Sequence, residues 1–122
     1  MAPRRRTDPV LGAAAVAAWT ADPDGVDAAT VATAVRFTLE ELTARHPGRA
    51  VEVRVPPYGA TQCLDGPAHT RGTPPNVVEA EAPTWLGLVT GTARWAEEAA
   101  SGRVRCSGGR SDLSAVLPLV GS

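Results

Sequence analysis

Residues 83–119, PTWLGLVTGTARWAEEAASGRVRCSGGRSDLSAVLPL, decide the fold of this chain. Pro83 suits the first turn of a helix, where its missing N–H would have had no partner anyway. Trp85, Leu86, Leu88 and Val89 follow at helical spacing, and Gly91 is placed to close that helix in the left-handed conformation. Thr92 can cap a second helix carrying Trp95 and Ala99, and Gly102 ends it in the same way. Arg103 to Ser107 alternates polar and apolar, as a half-buried strand does. Gly108-Gly109 turns the chain, and Ser111 or Asp112 caps a last short helix with Leu113, Val116 and Leu117 before Pro118.

Upstream, Val51-Glu52-Val53-Arg54-Val55 alternates cleanly and predicts a strand that Pro56-Pro57 ends. A second strand is expected over 60–64 and a third over 76–81, with a Gly- and Pro-rich turn region over 65–75 between them. Asp27 caps a longer helix that runs to about His46, where Pro47-Gly48 stops it. Ala28, Val31, Ala34, Val35, Leu39 and Leu42 fall on one face of it, while Arg36, Glu40 and Glu41 lie off the stripe and should be wet. Phe37 also projects off the stripe. It suits a flanking core position, the wall of a ligand cavity or a partner contact. Asp8-Pro9 opens a short alanine-rich helix over 9–20, so residues 1–8 read as a flexible basic tail and 9–122 as one domain. Strands paired as hairpins with helices before and after describe an α+β fold: a single, mostly antiparallel sheet of about five strands covered by helices.

The bulk numbers narrow the function classes. A chain of 122 residues makes one domain with a single core. Its 12 basic residues against 13 acidic ones leave no long basic face for nucleic acid, and Arg4-Arg5-Arg6 reads as a solvated tail. The alanine-rich run after Pro9 is too weakly apolar for a secretion signal and too short to span a bilayer. A cytoplasmic location without stable membrane insertion is therefore expected, and Cys63 and Cys106 fit it as reduced thiols. Their spacing with His69 lacks the close pairs of a zinc site, so no metal and no cofactor is expected. Cys63, Asp65 and His69 could make a nucleophile, an orienting carboxylate and a base, but they crowd into one short segment, whereas such partners normally converge from distant ones. With no serine elbow, paired carboxylates or phosphate-binding glycine loop, the chain does not read as an enzyme.

The order of elements over 83–119 resembles the C-terminal half of the sterol carrier protein type-2 fold. Trp85-Leu86-Gly87-Leu88-Val89-Thr90-Gly91 fits its W-L-x-L-x-x-G helix, and Gly102 to Gly108 fits its G-x-V-x-x-S-G strand. The segment His69-Thr70-Arg71-Gly72-Thr73-Pro74-Pro75-Asn76-Val77-Val78-Glu79 is similar to the bacterial branch called sterol carrier family proteins. The resemblance covers about residues 27–120. It implies helices over one face of the sheet, with a hydrophobic tunnel between the layers that carries a small apolar or amphipathic ligand, lipid or fatty-acyl-like, without catalysis. Trp85, Leu88, Val89, Trp95, Leu113, Val116 and Leu117 would wall that cavity, with Phe37 joining from the long helix. Each buried methylene contributes about 0.8 kcal/mol. The same side chains would equally fill an ordinary core, which gives a structural module with no ligand. His69 and Arg71 stand two apart, so in an extended stretch they point the same way and could hold a carboxylate or phosphate head group, or simply order the loop. A second similarity, to the C-terminal domain of mycothiol-dependent maleylpyruvate isomerases, implies an accessory domain for a thiol cofactor or a protein partner. Their metal sits on a helical bundle that this chain lacks, so no metal ligand carries over.

Overall fold

The computed structural model describes residues 6–66 and 76–120. The order is α1 (Pro9–Ala21), α2 (Ala28–Arg45), β1 (Val51–Val55), β2 (Gly59–Cys63), β3 (Asn76–Ala80), α3 (Ala82–Thr90), α4 (Trp95–Ser101) and β4 (Val104–Ser107). The caps expected from sequence form: Asp8 accepts from the Val10 N–H at 2.8 Å with Pro9 opening the helix, and Asp27 accepts from the Thr30 N–H at 2.8 Å. That hydrogen bonding holds the Asp27 carboxyl below its ordinary value.

The sheet has four strands in the order β2-β1-β3-β4, against about five mostly antiparallel strands expected. It is mixed. β1–β2 and β3–β4 pair antiparallel, but the central pair β1–β3 runs parallel, with Val51 opposite Asn76 and Val53 opposite Val78. Alternation along a strand reports which face is buried but not the direction of the neighbour, so the sequence pattern carried no sign of this crossover. Val51, Val53, Val55, Cys63, Val78, Ala80 and Val104 are buried under the helices. The other face carries charge. Arg54 pairs with Glu52, and Arg105 pairs with Glu79 at 2.8 Å.

α3 is buried almost all round, from Ala82 through Trp85 to Thr90, and forms the centre of the core. Trp85 is fully buried and its indole N–H donates to Thr38 Oγ1 at 2.9 Å, which ties α3 to α2. α1 packs on α2 through Ala15, Val16 and Trp19.

Several local expectations change. Glu41, expected wet, is buried at 8% exposure and pairs there with Arg45 one turn on (3.0 Å). Ala28 at the first position of α2 is exposed and Val31 is half-buried against the core, so the fully buried stripe starts at Ala34. Arg94, not Thr92, stands at the start of α4, while Thr92 turns back so that its hydroxyl donates to the Gly87 carbonyl at 3.4 Å. The expected last helix is a single turn over 114–116: Pro118 cannot extend it, and the chain beyond is bonded to α3 instead.

Candidate functional site

The C-terminal end of α3, the start of α4 and the segment after β4 enclose a groove of about 330 Å³. Local backbone chemistry builds it. Gly91 adopts φ 89° and its N–H returns to the Gly87 carbonyl at 3.0 Å, closing α3 and swinging the chain round into α4. A Cβ on Gly91 would lie 3.5 Å from Pro118, so the turn and the C-terminal segment run close to one another. The Leu119 and Val120 N–H groups both donate to the Val89 carbonyl, at 2.9 and 3.0 Å, and the Arg45 guanidinium donates to the Leu119 carbonyl. Asp112 accepts from the Ser114 N–H at 2.8 Å, which fixes the turn ahead of this segment and holds the Asp112 carboxyl below its ordinary value.

The groove has an apolar interior and a polar rim. Leu88, 2% exposed, forms the floor, with half-buried Trp95 and Leu117 as walls and Pro118, Ala93 and Ala96 completing the lining. Arg94 is exposed at the rim and makes no side-chain ion pair among the described residues.

Of the residues singled out from sequence, Leu88, Trp95 and Leu117 meet in this groove. Trp85, Val89 and Leu113 are fully buried in the core beside it, and Val116 packs partly buried against that core. Phe37 lies elsewhere: its ring rests on Gly12, where a Cβ would stand only 2.3 Å from it, so it is one of the packing contacts between α1 and α2. His69 and Arg71 lie outside the described residues. The sequence reading passed over Arg94 and Pro118. The Gly91 helix stop immediately before Arg94-Trp95 was the available signal for the first, and the second was read only as a terminator.

Cys63 is buried, and desolvation pushes its thiol up to about 12, so at neutral pH it is a protonated, shielded group and no nucleophile. Among the described residues no cluster of three or more His, Cys, Asp or Glu side chains could hold a metal. Both cysteines are free thiols. No helix among the described residues is long and apolar enough to cross a membrane.

No curated protein matches the chain. The family model described as bacterial SCP ortholog matches residues 27–119, from the cap of α2 to the end of the groove segment. The chain belongs to this bacterial family of sterol carrier protein-like domains.

Proposed function

We propose that the protein binds a small apolar or amphipathic ligand, non-covalently and without chemistry, in the groove between α3, α4 and the C-terminal segment. The observation that carries this reading is the meeting of Leu88, Trp95 and Leu117 around about 330 Å³ of space, in a family whose character is that of a lipid carrier. That volume lies at the small end of ligand pockets. It fits a short acyl segment or a compact amphiphile better than a rigid four-ring sterol. At about 0.8 kcal/mol per methylene, burying a few carbons supports weak, reversible binding of the sort a carrier needs.

An acidic head needs a cationic partner. Arg94 stands on the rim. His69 and Arg71 remain candidates on sequence grounds, and the reading assigns them to the head group. Native mass spectrometry of the purified protein is the first test, followed by titration with a fluorescent fatty acid. A stoichiometric amphiphile, with Leu117→Asp weakening the titration about tenfold or more and Arg71→Ala or Arg94→Ala weakening acidic ligands only, supports the reading. A protein that is empty and also fails to bind the probe removes it.

A further inference from the structure

A second concave surface, sharing no residue with the groove, runs between α2 and the edge strand β2. It holds about 1140 Å³ between Thr33, Arg36, Glu40 and Thr43 of α2 and Gly59 to Thr61 of β2. Thr43, Ala60 and Thr61 also line a neighbouring hollow of about 620 Å³ that reaches Arg49 and Glu52, so the two form one trough along β2. At the other end Thr7 is strapped to Glu40, its N–H at 3.0 Å from one carboxylate oxygen and its hydroxyl at 3.2 Å from the other. This strap brings Arg6 into the same concavity as Arg36.

Two features of the trough point to its occupant. The first is backbone. β2 is the edge of the sheet, and Thr43 Oγ1 donates to the Gln62 carbonyl at 2.7 Å, so that carbonyl faces away from β1. Strand alternation then directs the N–H and C=O of Ala60, which is exposed, the same way. The second is charge. Glu52 is paired with Arg54, whereas Asp8 and Glu40 accept only from neutral donors, the Val10 N–H and Thr7, and keep their charge, so two carboxylates face the three arginines of the trough. Arg6, Arg36 and Arg49 make no side-chain hydrogen bond or ion pair among the described residues. Leu11, 64% exposed, adds an apolar seat at the closed end.

We propose that this trough binds an extended acidic peptide segment of a partner protein, which pairs with the β2 edge at Ala60, short of the Gln62 carbonyl that Thr43 already holds, and sets its carboxylates against Arg6, Arg36 and Arg49. Strand addition supplies the hydrogen bonds that Ala60 offers, while alternate side chains reach the flanking helix. A lipid chain has no backbone groups to meet Ala60. A second copy's own β2, Gly59-Ala60-Thr61-Gln62-Cys63, carries no carboxylate to meet the arginines. The proposal is independent of the α3–α4 groove and stands or falls separately from it.

Selection from a displayed random linear octapeptide library on the full chain, followed by amide hydrogen exchange with the enriched peptide, tests it. Enrichment of Asp or Glu at alternate positions, with at least about tenfold slower exchange at the Ala60 amide, is expected. Arg36→Gln should weaken the peptide about fivefold or more, chiefly at low salt. Ala60→Pro should abolish binding while leaving the melting temperature within a few degrees, because proline is tolerated on an outward edge N–H. The proposal is overturned by a library that enriches no acidic peptide, or by a peptide that Ala60→Pro still binds. It is equally overturned by phosphatidylglycerol vesicles engaging the arginines in the absence of any peptide, or by an acidic peptide that perturbs them without protecting Ala60.

Discussion

Cys63 is a small apolar residue in its packing and a titrating group in its chemistry, and the second property makes the first measurable. It sits fully buried on the inner face of β2, and desolvation pushes its thiol from 9.0 up to about 12. Below pH 9 both the folded and the unfolded chain hold this proton. As pH rises from about 9 toward 12 the unfolded chain releases it while the folded one retains it, so unfolding is drawn forward and stability falls. Cys63→Ala costs packing at every pH but removes this slope. Urea midpoints measured from pH 8 to 11 should therefore converge for the two proteins as pH rises, and parallel curves would contradict the assigned burial. Under native conditions a thiol reagent should label exposed Cys106 quickly and reach Cys63 only on unfolding.

At the scale of elements, the α1–α2 contact decides what Phe37 is for. Gly12 is buried against the Phe37 ring, and a methyl group there would meet it at 2.3 Å with no open space to move into. Gly12→Ala should cost about 1–3 kcal/mol in urea denaturation through overpacking, and Phe37→Leu should recover part of that in the double variant while leaving ligand binding in the α3–α4 groove unchanged. Additive costs, or a loss of ligand in Phe37→Leu alone, would return Phe37 to a cavity wall. The same contact shows what sequence could and could not say. The starts of α1 and α2 and the stops of α3 and α4 are legible because Asp8, Asp27, Gly91 and Gly102 act through local hydrogen bonds and local φ, with Gly91 at 89° and Gly102 at 83°. The place of Phe37 was not, because an off-stripe aromatic is explained only by the second helix that covers it. The burial of Glu41 is likewise not encoded by the stripe, although its i+4 partner Arg45 can be read from the sequence. The groove was legible as a set of apolar residues and illegible as a shape. Leu88 and Leu117 come from segments whose meeting depends on two N–H groups donating to the Val89 carbonyl, and no periodicity encodes that.

Across the whole molecule, the family match begins at residue 27, yet the core does not. Ala15, Val16 and Trp19 of α1 are buried in the same cluster as Val35, Leu42 and Trp85, so the first helix is part of one cooperative unit even though it precedes the matched region. Thr7 reinforces this by clamping Glu40 of α2 through both carboxylate oxygens. For a small single core, adding or removing a packed helix changes total stability and does not create a second transition. The full chain should therefore unfold in one step by circular dichroism and by tryptophan fluorescence, with coincident midpoints. Deleting residues 1–26 should leave a chain that keeps the sheet and α3 but uncovers Phe37 and the face of α2 beneath α1. Its melting temperature should drop by roughly 10 °C or more, since several buried apolar side chains at about 1.5–3 kcal/mol each are lost from contact and each kcal/mol is worth a few degrees in a domain of this size. A hydrophobic dye should bind the uncovered face. The same deletion removes Arg6 and Leu11 from the β2 trough but touches nothing in the α3–α4 groove, so the truncated protein should lose acidic-peptide binding and, at a temperature where it is folded, retain the amphiphile. If it melts as the full chain does, α1 is an appendage and the match from residue 27 onward describes the entire stable unit.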